Sequence, residues 1–255
     1  MIPFVRTRIL KLPPPDVPII PASTPVVSFG DFTQASVASI GLNPSKREFL
    51  YSDGTLVDSS ARRLSTLDSL GIEKVDEFTD IHVNQIWADC CGYFQRNPFD
   101  WFSPLNDLLA EAGASYFNGT GCHLDLSPWA TSASWSVLDK KAAKQQNDEV
   151  RVSKRKILAD DGREFLEQCL QETEFRLLVI NGSGVWYELV RNGVIEPIDS
   201  EEETMKPEGT TRRIYKGKSR SGVPVVGWSV HWQYGAGEHV FQHRVREVLR
   251  SYCSG

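Results

Sequence analysis

An asparagine follows an apolar segment in the first quarter of this chain. Residues 36–42 are mostly apolar, and Asn43 and Pro44 come directly after them. This pattern predicts a buried strand that ends in a tight turn. Pro44 keeps Asn43 out of the helical region, so we expect the Asn43 side chain at the carboxyl end of the strand, where open α/β sheets bind ligands. The alternative is an ordinary turn residue.

Two further segments carry polar side chains at the same kind of position. His123 and Asp125 alternate along the segment 121–126 and therefore share one face of a predicted strand. His231 follows the apolar segment 223–230 and precedes a loop that contains glycine. Parallel strands bring their carboxyl ends together, so we expect these side chains to meet the asparagine in one cleft.

Each of these residues also has a structural explanation. His123 and His231 can be hydrogen-bonded interior histidines, and Asp125 can pair with a nearby lysine or arginine. The convergence of several strand ends on one cleft favours a function for the set.

Strand-like and helix-like segments alternate along the chain. This alternation predicts an α/β fold, with three α/β/α layers around a central, mostly parallel four-stranded sheet. A glycine turn follows the third strand, and the polar segment 140–156 is expected to be a loop or an exposed helix. The predicted strands are 36–42, 121–126, 176–181 and 223–230, and the predicted helices are 59–70, 81–94, 102–112, 161–171 and 238–252.

The length of 255 residues suits one large domain or two small ones. We interpret 31–255 as a single domain and the proline-rich residues 1–30 as an extended arm packed across it. No apolar run approaches the roughly 20 residues of a membrane helix, and the N-terminus lacks the apolar core of a signal peptide. We therefore expect no membrane partner. We also expect a monomer.

The five cysteines form no C-x-x-C pair and are irregularly spaced. This pattern argues against a zinc site, an iron–sulfur cluster or a disulfide framework, so we expect no metal and no cofactor. Cysteines of this kind fit a reducing, cytoplasmic compartment.

The net charge of −5 excludes a protein that coats DNA through overall basicity. Two basic stretches, 140–156 and 212–220, are expected to contact phosphates if they border the cleft, although a solvated face is the commoner explanation. A separate acidic patch is expected at 201–203. The residues predicted to contact DNA in the basic stretches are Lys140, Lys144, Arg212, Arg213 and Lys216.

The motifs, taken in order, resemble the uracil-DNA glycosylase superfamily, and most closely its single-strand-selective monofunctional branch. Residues 41–45 (Gly-Leu-Asn-Pro-Ser) are similar to the Gly-Met-Asn-Pro-Gly motif of that branch. Residues 68–72 resemble its Trp-Leu-Gly-Ile segment, and 123–128 resemble its His-Asn-Leu-Cys-Pro strand end. Residues 178–184 resemble its third strand and glycine turn. His231 stands where that branch has His-Pro-Ser-Pro.

The resemblance implies hydrolysis of the N-glycosidic bond of a base flipped out of DNA, which leaves an abasic site. Asn43 would orient the attacking water, and His231 would stabilise the leaving base. No lysine stands in a nucleophile motif, so the implied enzyme is monofunctional. The residues implied for the base pocket are Leu42, Ser45, Phe49, Tyr51, His123 and Asp125, and those implied to fill the gap in the DNA are Trp232, Gln233 and Tyr234.

Three departures from the family pattern bear on the substrate. Ser45 replaces a glycine, residues 232–235 replace Pro-Ser-Pro, and Asp125 stands where the family reads uracil with an asparagine. A carboxylate only accepts hydrogen bonds, so it would repel uracil O4 but accept from N4 of cytosine. We therefore predict a modified cytosine as substrate, such as the glucosylated 5-hydroxymethylcytosine of phage DNA, and a role in phage defence.

Three other functions stay open at this point. They are an ordinary uracil glycosylase in base-excision repair, a non-catalytic reader of modified bases, and an enzyme that acts on free nucleosides. Uracil release, tight binding without abasic sites, or activity on nucleosides would identify each of them.

Overall fold

The computed structural model of the protein describes residues 1–138, 153–206, 209–234 and 239–253. The DNA contacts predicted at Lys140 and Lys144 lie outside these residues. The seven strands of the described chain are β1 (Val37–Gly41), β2 (Gly121–Asp125), β3 (Leu177–Asn181), β4 (Ile195–Pro197), β5 (Glu203–Met205), β6 (Arg212–Ser219) and β7 (Pro224–Trp228).

These strands form one mixed sheet with a parallel half and an antiparallel half. The strand order is β2-β1-β3-β7-β6-β4, and β5 also pairs with β6. β2, β1, β3 and β7 are mutually parallel. β6 runs antiparallel to β7, β4 and β5. The parallel half therefore presents four strand ends side by side.

The central strands are apolar because they are covered on both faces. All five residues of β3 are buried, as are the first four of β1. Successive side chains of a strand point to opposite faces, so complete burial of β3 means that both faces of the sheet are covered there.

Six helices accompany the sheet in the described residues. Among the described residues, no helix is long and apolar enough to cross a membrane. α5 packs against β3, β4 and β7, and α3 packs against α6. The helices are α1 (Pro3–Leu10), α2 (Asp80–Cys91), α3 (Ser103–Glu111), α4 (Lys154–Glu172), α5 (Ser183–Arg191) and α6 (His239–Arg250).

The predicted α/β class and the four predicted strands are confirmed, with ends that agree within two residues. The sheet is larger than predicted, because β4, β5 and β6 extend it by antiparallel pairing. β6 lies in the basic stretch 212–220, where alternate charged residues hide the strand in the sequence.

The helix predicted over 59–70 is wrong. Only the single 3-10 turn Asp68–Leu70 forms within it. Leu64 and Leu67 are both buried, but they anchor a loop rather than one face of a helix. Leucines at helical spacing therefore mark core contacts here without marking a helix.

The arm 1–30 begins with a helix rather than with extended chain. α1 packs against α2 and α4, and Arg8 Nη2 donates to Asp161 Oδ2 at 2.6 Å in a buried ion pair. Farther along the arm, Phe29 forms an isolated antiparallel bridge with His123. Because His123 lies in β2, the arm covers the outer side of that strand.

We predict that Arg8→Ala lowers the free energy of unfolding by about 3 kcal/mol, because it leaves the buried Asp161 carboxylate without its closest partner. Arg6→Ala is the matched control, since the Arg6–Asp80 pair is exposed on both sides and contributes less than about 1 kcal/mol. Urea denaturation of both variants measures the difference. Equal effects would contradict the role given to the buried pair.

Candidate functional site

The carboxyl ends of four neighbouring parallel strands lie together at one end of the sheet. Asn43 follows β1, Asp125 ends β2, Gly182 follows β3, and His231 follows β7. Neighbouring strands lie about 4.8 Å apart, so Asn43 and His231 leave the sheet at positions roughly 10 Å apart, with β3 between them. The predicted polar groups therefore share one end of the sheet.

The Asn43 side chain is fixed through its NH2 group. Nδ2 donates to Thr131 Oγ1 at 3.1 Å, to the Trp129 carbonyl at 3.4 Å and to the Pro44 carbonyl at 3.2 Å. These contacts decide which end of the amide is the nitrogen. Within the described residues no donor reaches Oδ1, so Oδ1 is an acceptor held at the end of β1.

Asp125 is held by a chain of buried hydrogen bonds. Tyr116 Oη lies 2.6 Å from Ser39 Oγ, which lies 2.6 Å from His123 Nδ1. His123 Nε2 then lies 3.3 Å from Asp125 Oδ1. A consistent assignment has each hydroxyl donate toward the imidazole, so that Nε2–H donates to the carboxylate. The chain orients Asp125 from the interior.

Gly41 leaves the room that this pair needs. It lies opposite Asp125 in the register of β1 and β2. A Cβ added to Gly41 would collide with Asp125 Oδ1 and would lie 2.8 Å from His123 Nε2. Any side chain at this position would displace the carboxylate. The close approach of Asp125 and His123 therefore requires a glycine at position 41.

His123 lies within an aromatic cluster rather than in an open cleft. Its ring centroid is 5.2 Å from that of Phe102 and 5.8 Å from that of Trp101. The residue is 4% exposed, and both ring nitrogens have partners. The predicted contact between His123 and a base is therefore not supported, because this histidine reaches a base only through Asp125.

A second buried acid, Glu48, lies five residues after Asn43. Its Oε1 accepts from Tyr93 Oη at 2.8 Å, and its Oε2 lies 3.8 Å from Arg63 Nη1 without a hydrogen bond in the described residues. Burial raises the pKa of Glu48 to about 7. The Tyr93 hydrogen bond and the Arg63 charge oppose this shift, whereas the charge of Asp125 adds to it. Glu48 therefore keeps its proton until close to neutral pH.

His231 lies against the glycine turn that follows β3. Gly182 has a φ of +104°, a conformation that side chains disfavour. A Cβ there would lie 2.8 Å from Cε1 of the His231 ring. His231 is exposed at the surface, but the burial that it does have lowers its pKa below the usual 6.5. The imidazole is therefore neutral at pH 7 and donates through one nitrogen.

Asn181, the last residue of β3, positions the loop that carries His231. Its Oδ1 accepts from the Trp232 backbone N–H at 2.8 Å and from Trp228 Nε1 at 2.9 Å. Its Nδ2 donates to Gln233 Oε1 at 2.6 Å. One amide at the end of β3 thus binds three groups of the β7 segment and its loop.

Trp232 and Gln233 are held in the protein, contrary to the prediction that they fill a gap in DNA. Trp232 is 9% exposed, and the Arg246 guanidinium lies 5.8 Å from its ring centroid. Gln233 uses both ends of its amide, because Nε2 donates to the Trp101 carbonyl at 3.0 Å. Both side chains anchor the loop, and the role of Tyr234 stays a prediction.

The remaining predicted pocket residues have different surroundings. Phe49 is fully buried and offers no face to a base, so its predicted stacking role is not supported. Tyr51 is 40% exposed, and stacking on it stays a prediction. Leu42 is half-buried beside Asn43. Ser45 is exposed, and its Oγ accepts from a backbone N–H and caps a 3-10 turn, which gives it a local structural role.

The basic side chains of β6 are paired with the acidic residues that the sequence places apart. Arg213 Nε lies 3.5 Å from a carboxylate oxygen of Glu202, and Lys216 Nζ lies 3.3 Å from one of Glu203. Arg212 begins the same strand. The prediction of a separate acidic patch is wrong, because β5 pairs with β6. This strand offers phosphates less uncompensated charge than the sequence suggests.

Another group of basic residues lies close to the Asn43 turn. The guanidinium carbons of Arg47 and Arg63 each lie 5.9 Å from the ring centroid of Phe99. Across the described chain, Lys46 and Arg47 form no ion pair with a carboxylate, and both are exposed. We call Lys46, Arg47 and Arg63 the basic rim.

Two surface cavities lie elsewhere in the molecule. One of about 430 Å³ borders Tyr116 and Thr120, and one of about 80 Å³ borders Trp186 and Tyr215. Asn43 and His231 line neither of them. In the part of the chain that is described, no group of three or more His, Cys, Asp or Glu residues could hold a metal ion. Neither a cavity nor a metal cluster of the described residues therefore identifies the candidate site, which is identified only by the polar side chains at the ends of the parallel strands.

Comparison with known proteins leaves the family open. A scan against protein-family models finds no match, and a search of the curated proteins finds none either. The resemblance to the uracil-DNA glycosylase superfamily stays a prediction drawn from the motifs.

Four residues that the sequence analysis does not select contribute to the site. Ser39 and Asn181 are polar residues in apolar strands, and this was the one available signal for them. Glu48 stands in a charged segment where nothing indicates burial. From a distant segment, the Trp101 carbonyl accepts from Gln233 and the Trp101 ring contacts His123. No spacing in the sequence connects these residues.

We predict that Glu48 makes the protein less stable as the pH rises from 4.5 to about 7. Its folded pKa is raised from 4.5 to about 7, so the native state holds a proton that the unfolded chain loses. Over this window the free energy of unfolding should fall by up to about 1.4 kcal/mol per pH unit. Glu48→Gln should remove this slope.

Urea denaturation at several pH values compares the wild type with Glu48→Gln. Glu73→Gln, at an exposed position, is the control and should keep the wild-type slope. A slope that survives Glu48→Gln would contradict the assignment.

Proposed function

We propose that this protein is a monofunctional DNA glycosylase that acts on a base flipped out of DNA. The observation that carries the proposal is the arrangement at one end of the sheet of a fixed Asn43 amide, a buried Asp125 carboxylate and a neutral His231 imidazole. Such groups can orient a water, read a base and stabilise a leaving anion. The motif resemblance supports the same reaction.

Asn43 would orient the attacking water through Oδ1. Because Nδ2 donates to Thr131 and Trp129, the amide cannot turn over without losing both contacts. An amide is a weak base, so its contribution is positioning rather than proton removal. The water oxygen would bond to C1′ of the deoxyribose while the C1′–N bond breaks, and the base would leave with the bonding electrons.

His231 would donate a hydrogen bond to O2 of the departing base. Negative charge grows on the base as the sugar approaches an oxocarbenium ion, so a donor aimed at that oxygen acts mainly in the transition state. The contact of the imidazole with Gly182 and the Asn181 bonds to the following loop hold this donor in place before substrate arrives.

Asp125 would select a cytosine-type base. Its Oδ1 is bound by His123, and a carboxylate in this place accepts from an exocyclic amino group but opposes a carbonyl. Excision of unmodified cytosine would damage the host's own DNA, so the proposed substrate is a modified cytosine. Removal of a base found only in modified phage DNA would serve phage defence.

The basic rim would contact the DNA backbone beside the site. Lys46 and Arg47 follow the Asn43 turn, and Arg63 shares Phe99 with Arg47. Lys46 and Arg47 have no carboxylate partner among the described residues. By contrast, Arg213 and Lys216 on β6 are compensated by Glu202 and Glu203. We therefore propose the rim as the main phosphate contact.

We predict that His231→Ala lowers the rate of base release by about 100-fold to 1,000-fold, as the loss of a preorganised donor does elsewhere. Asn43→Ala should lower it by at least about 100-fold, because the water loses its orientation. The measurement is alkaline cleavage of abasic sites in oligonucleotides that contain uracil, 5-hydroxymethylcytosine or its glucosylated form.

His243→Ala and Asn84→Ala are matched controls, since both residues are exposed on helices and should leave the rate unchanged. Full activity in Asn43→Ala or His231→Ala would overturn the site. Release of uracil alone would overturn the role of Asp125 and identify a repair enzyme. Tight binding without abasic sites from any substrate would identify a reader.

We predict that Arg47→Ala weakens binding to an oligonucleotide and lowers the salt dependence of the affinity by about one unit in a plot of log K against log salt. Lys218→Ala is the control, because Lys218 pairs with Glu196 on the antiparallel half of the sheet and should change neither value. A larger effect at Lys218 than at Arg47 would contradict the proposed phosphate contact at the basic rim and indicate that DNA binds at the antiparallel half of the sheet.

A further inference from the structure

We propose that Trp101 is the aromatic side chain that stacks on the extruded base. The inference rests on the proposed function, because it names a substrate contact of the same site. It takes the place of the stacking predicted for Phe49, which is fully buried. The indole would hold the face of the base while Asn43 and His231 act on the bond that breaks.

Trp101 connects the two sides of the candidate site. Its ring centroid lies 5.8 Å from that of His123, whose Nε2 lies 3.3 Å from Asp125 Oδ1 at the end of β2. Its carbonyl accepts from Gln233 Nε2 at 3.0 Å, in the loop that carries His231. Because β1 and β3 lie between β2 and β7, Trp101 reaches across their ends from the loop of β7 to the residues of β2.

The contacts of the indole lie on the face of the sheet that carries the proposed base reader. Ser39 is the register partner of His123 on β2 and of Val179 on β3. Side chains two residues apart along a strand share a face, so Asp125 and Asn181 project on the same side as His123. Asn181 in turn binds the loop of β7. The indole and the Asp125 carboxylate therefore belong to one face.

The indole of Trp101 is open to a ligand. Five of the seven tryptophans are buried, and only Trp87 and Trp101 are half-buried. The Nε1–H of Trp101 reaches the surface and has no hydrogen-bond partner in the described chain, whereas Nε1 of Trp129 and of Trp135 is buried. A base can therefore approach Trp101 without breaking a hydrogen bond of its side chain.

The rings beside Trp101 are not stacked on it. Phe102 lies at 90° to the indole with the two centroids 5.1 Å apart, and the His123 ring lies at 72°. Enzymes that extrude a base hold it against aromatic or apolar side chains as well as hydrogen-bonding its edge. The strand ends supply polar groups for the edge of the base, and Trp101 supplies a flat surface for its face.

Tyr51 is the other predicted stacking residue that is exposed, but its contacts lie elsewhere. Its hydroxyl donates to Asp58 Oδ2 at 3.0 Å. Among the described residues, no hydrogen bond or ring contact joins Tyr51 to a residue at the strand ends. The contacts of Trp101 with both sides of the site favour it over Tyr51 as the stacking residue.

The first test measures binding and base release in variants of Trp101. The binding probe is an oligonucleotide with an uncleavable 2′-fluoro nucleotide of 5-hydroxymethylcytosine. Trp101→Ala should raise Kd by about tenfold to a hundredfold, as the loss of a base–aromatic stack does elsewhere. On the cleavable substrate it should raise KM more than it lowers kcat, because stacking acts in the ground state as well as in the transition state. Trp101→Phe should keep most of the affinity, since phenylalanine also offers an aromatic face.

Two further variants separate stacking from packing. Trp101→Leu keeps an apolar contact with His123 but has no aromatic face, so it should bind as weakly as Trp101→Ala. Wild-type affinity in Trp101→Leu would overturn the inference. Trp87→Ala is the matched control, because Trp87 is equally half-buried but packs against Phe32, and it should leave Kd unchanged. A loss of affinity in Tyr51→Ala without one in Trp101→Ala would also overturn the inference.

Fluorine NMR of protein labelled with 5-fluorotryptophan tests the contact without requiring catalysis. The uncleavable oligonucleotide should shift the resonance of Trp101, assigned by its loss in Trp101→Phe, and leave that of Trp87 unchanged. An oligonucleotide with a tetrahydrofuran in place of the target nucleotide should cause a smaller shift, because it has no base to stack.

The outcomes distinguish the inference from the proposed function. A Trp101 resonance that responds equally to both oligonucleotides would overturn the stacking role, even if the protein releases bases. Absence of base release from every oligonucleotide would instead overturn the glycosylase, whereas a base-dependent shift of Trp101 would still support the contact.

Discussion

The close approach of Asp125 and His123 to Gly41 is the contact on which the candidate site depends. The parallel pairing of β1 and β2 puts these residues in register, and the missing Cβ of Gly41 gives the carboxylate its place. Ser39 and Tyr116 then fix the imidazole from the interior. A substitution at Gly41 would therefore disturb recognition of the base without touching Asn43 or His231.

The polar groups at this end of the sheet differ in charge and protonation because their surroundings differ. Glu48 is buried and keeps its proton to about pH 7, whereas partial burial lowers the pKa of the exposed His231 below its usual 6.5. Asn43 is held by hydrogen bonds to Thr131, Trp129 and Pro44 and carries no charge. The proposed enzyme thus places an orienting amide, a neutral donor and the Asp125 carboxylate at distinct positions around one extruded base.

The sequence predicts the parallel strands well, because short apolar runs before turns are typical of buried strands. It fails where non-local pairing decides the outcome. Lys216 and Glu203 pair only because β5 lies beside β6, and neither strand has an apolar run that announces it. Likewise, Phe49 is buried and Glu48 with it, since the turn after Asn43 folds inward. Charge or aromaticity at a position does not by itself predict its exposure.

The most direct test of the account is a crystal structure of the protein bound to an oligonucleotide with an uncleavable 2′-fluoro nucleotide of a modified cytosine. We expect an extruded base between Asn43 and His231, with its N4 amino group about 3 Å from an oxygen of Asp125. A target base that stays stacked in the DNA, or one bound at a different surface, would contradict it.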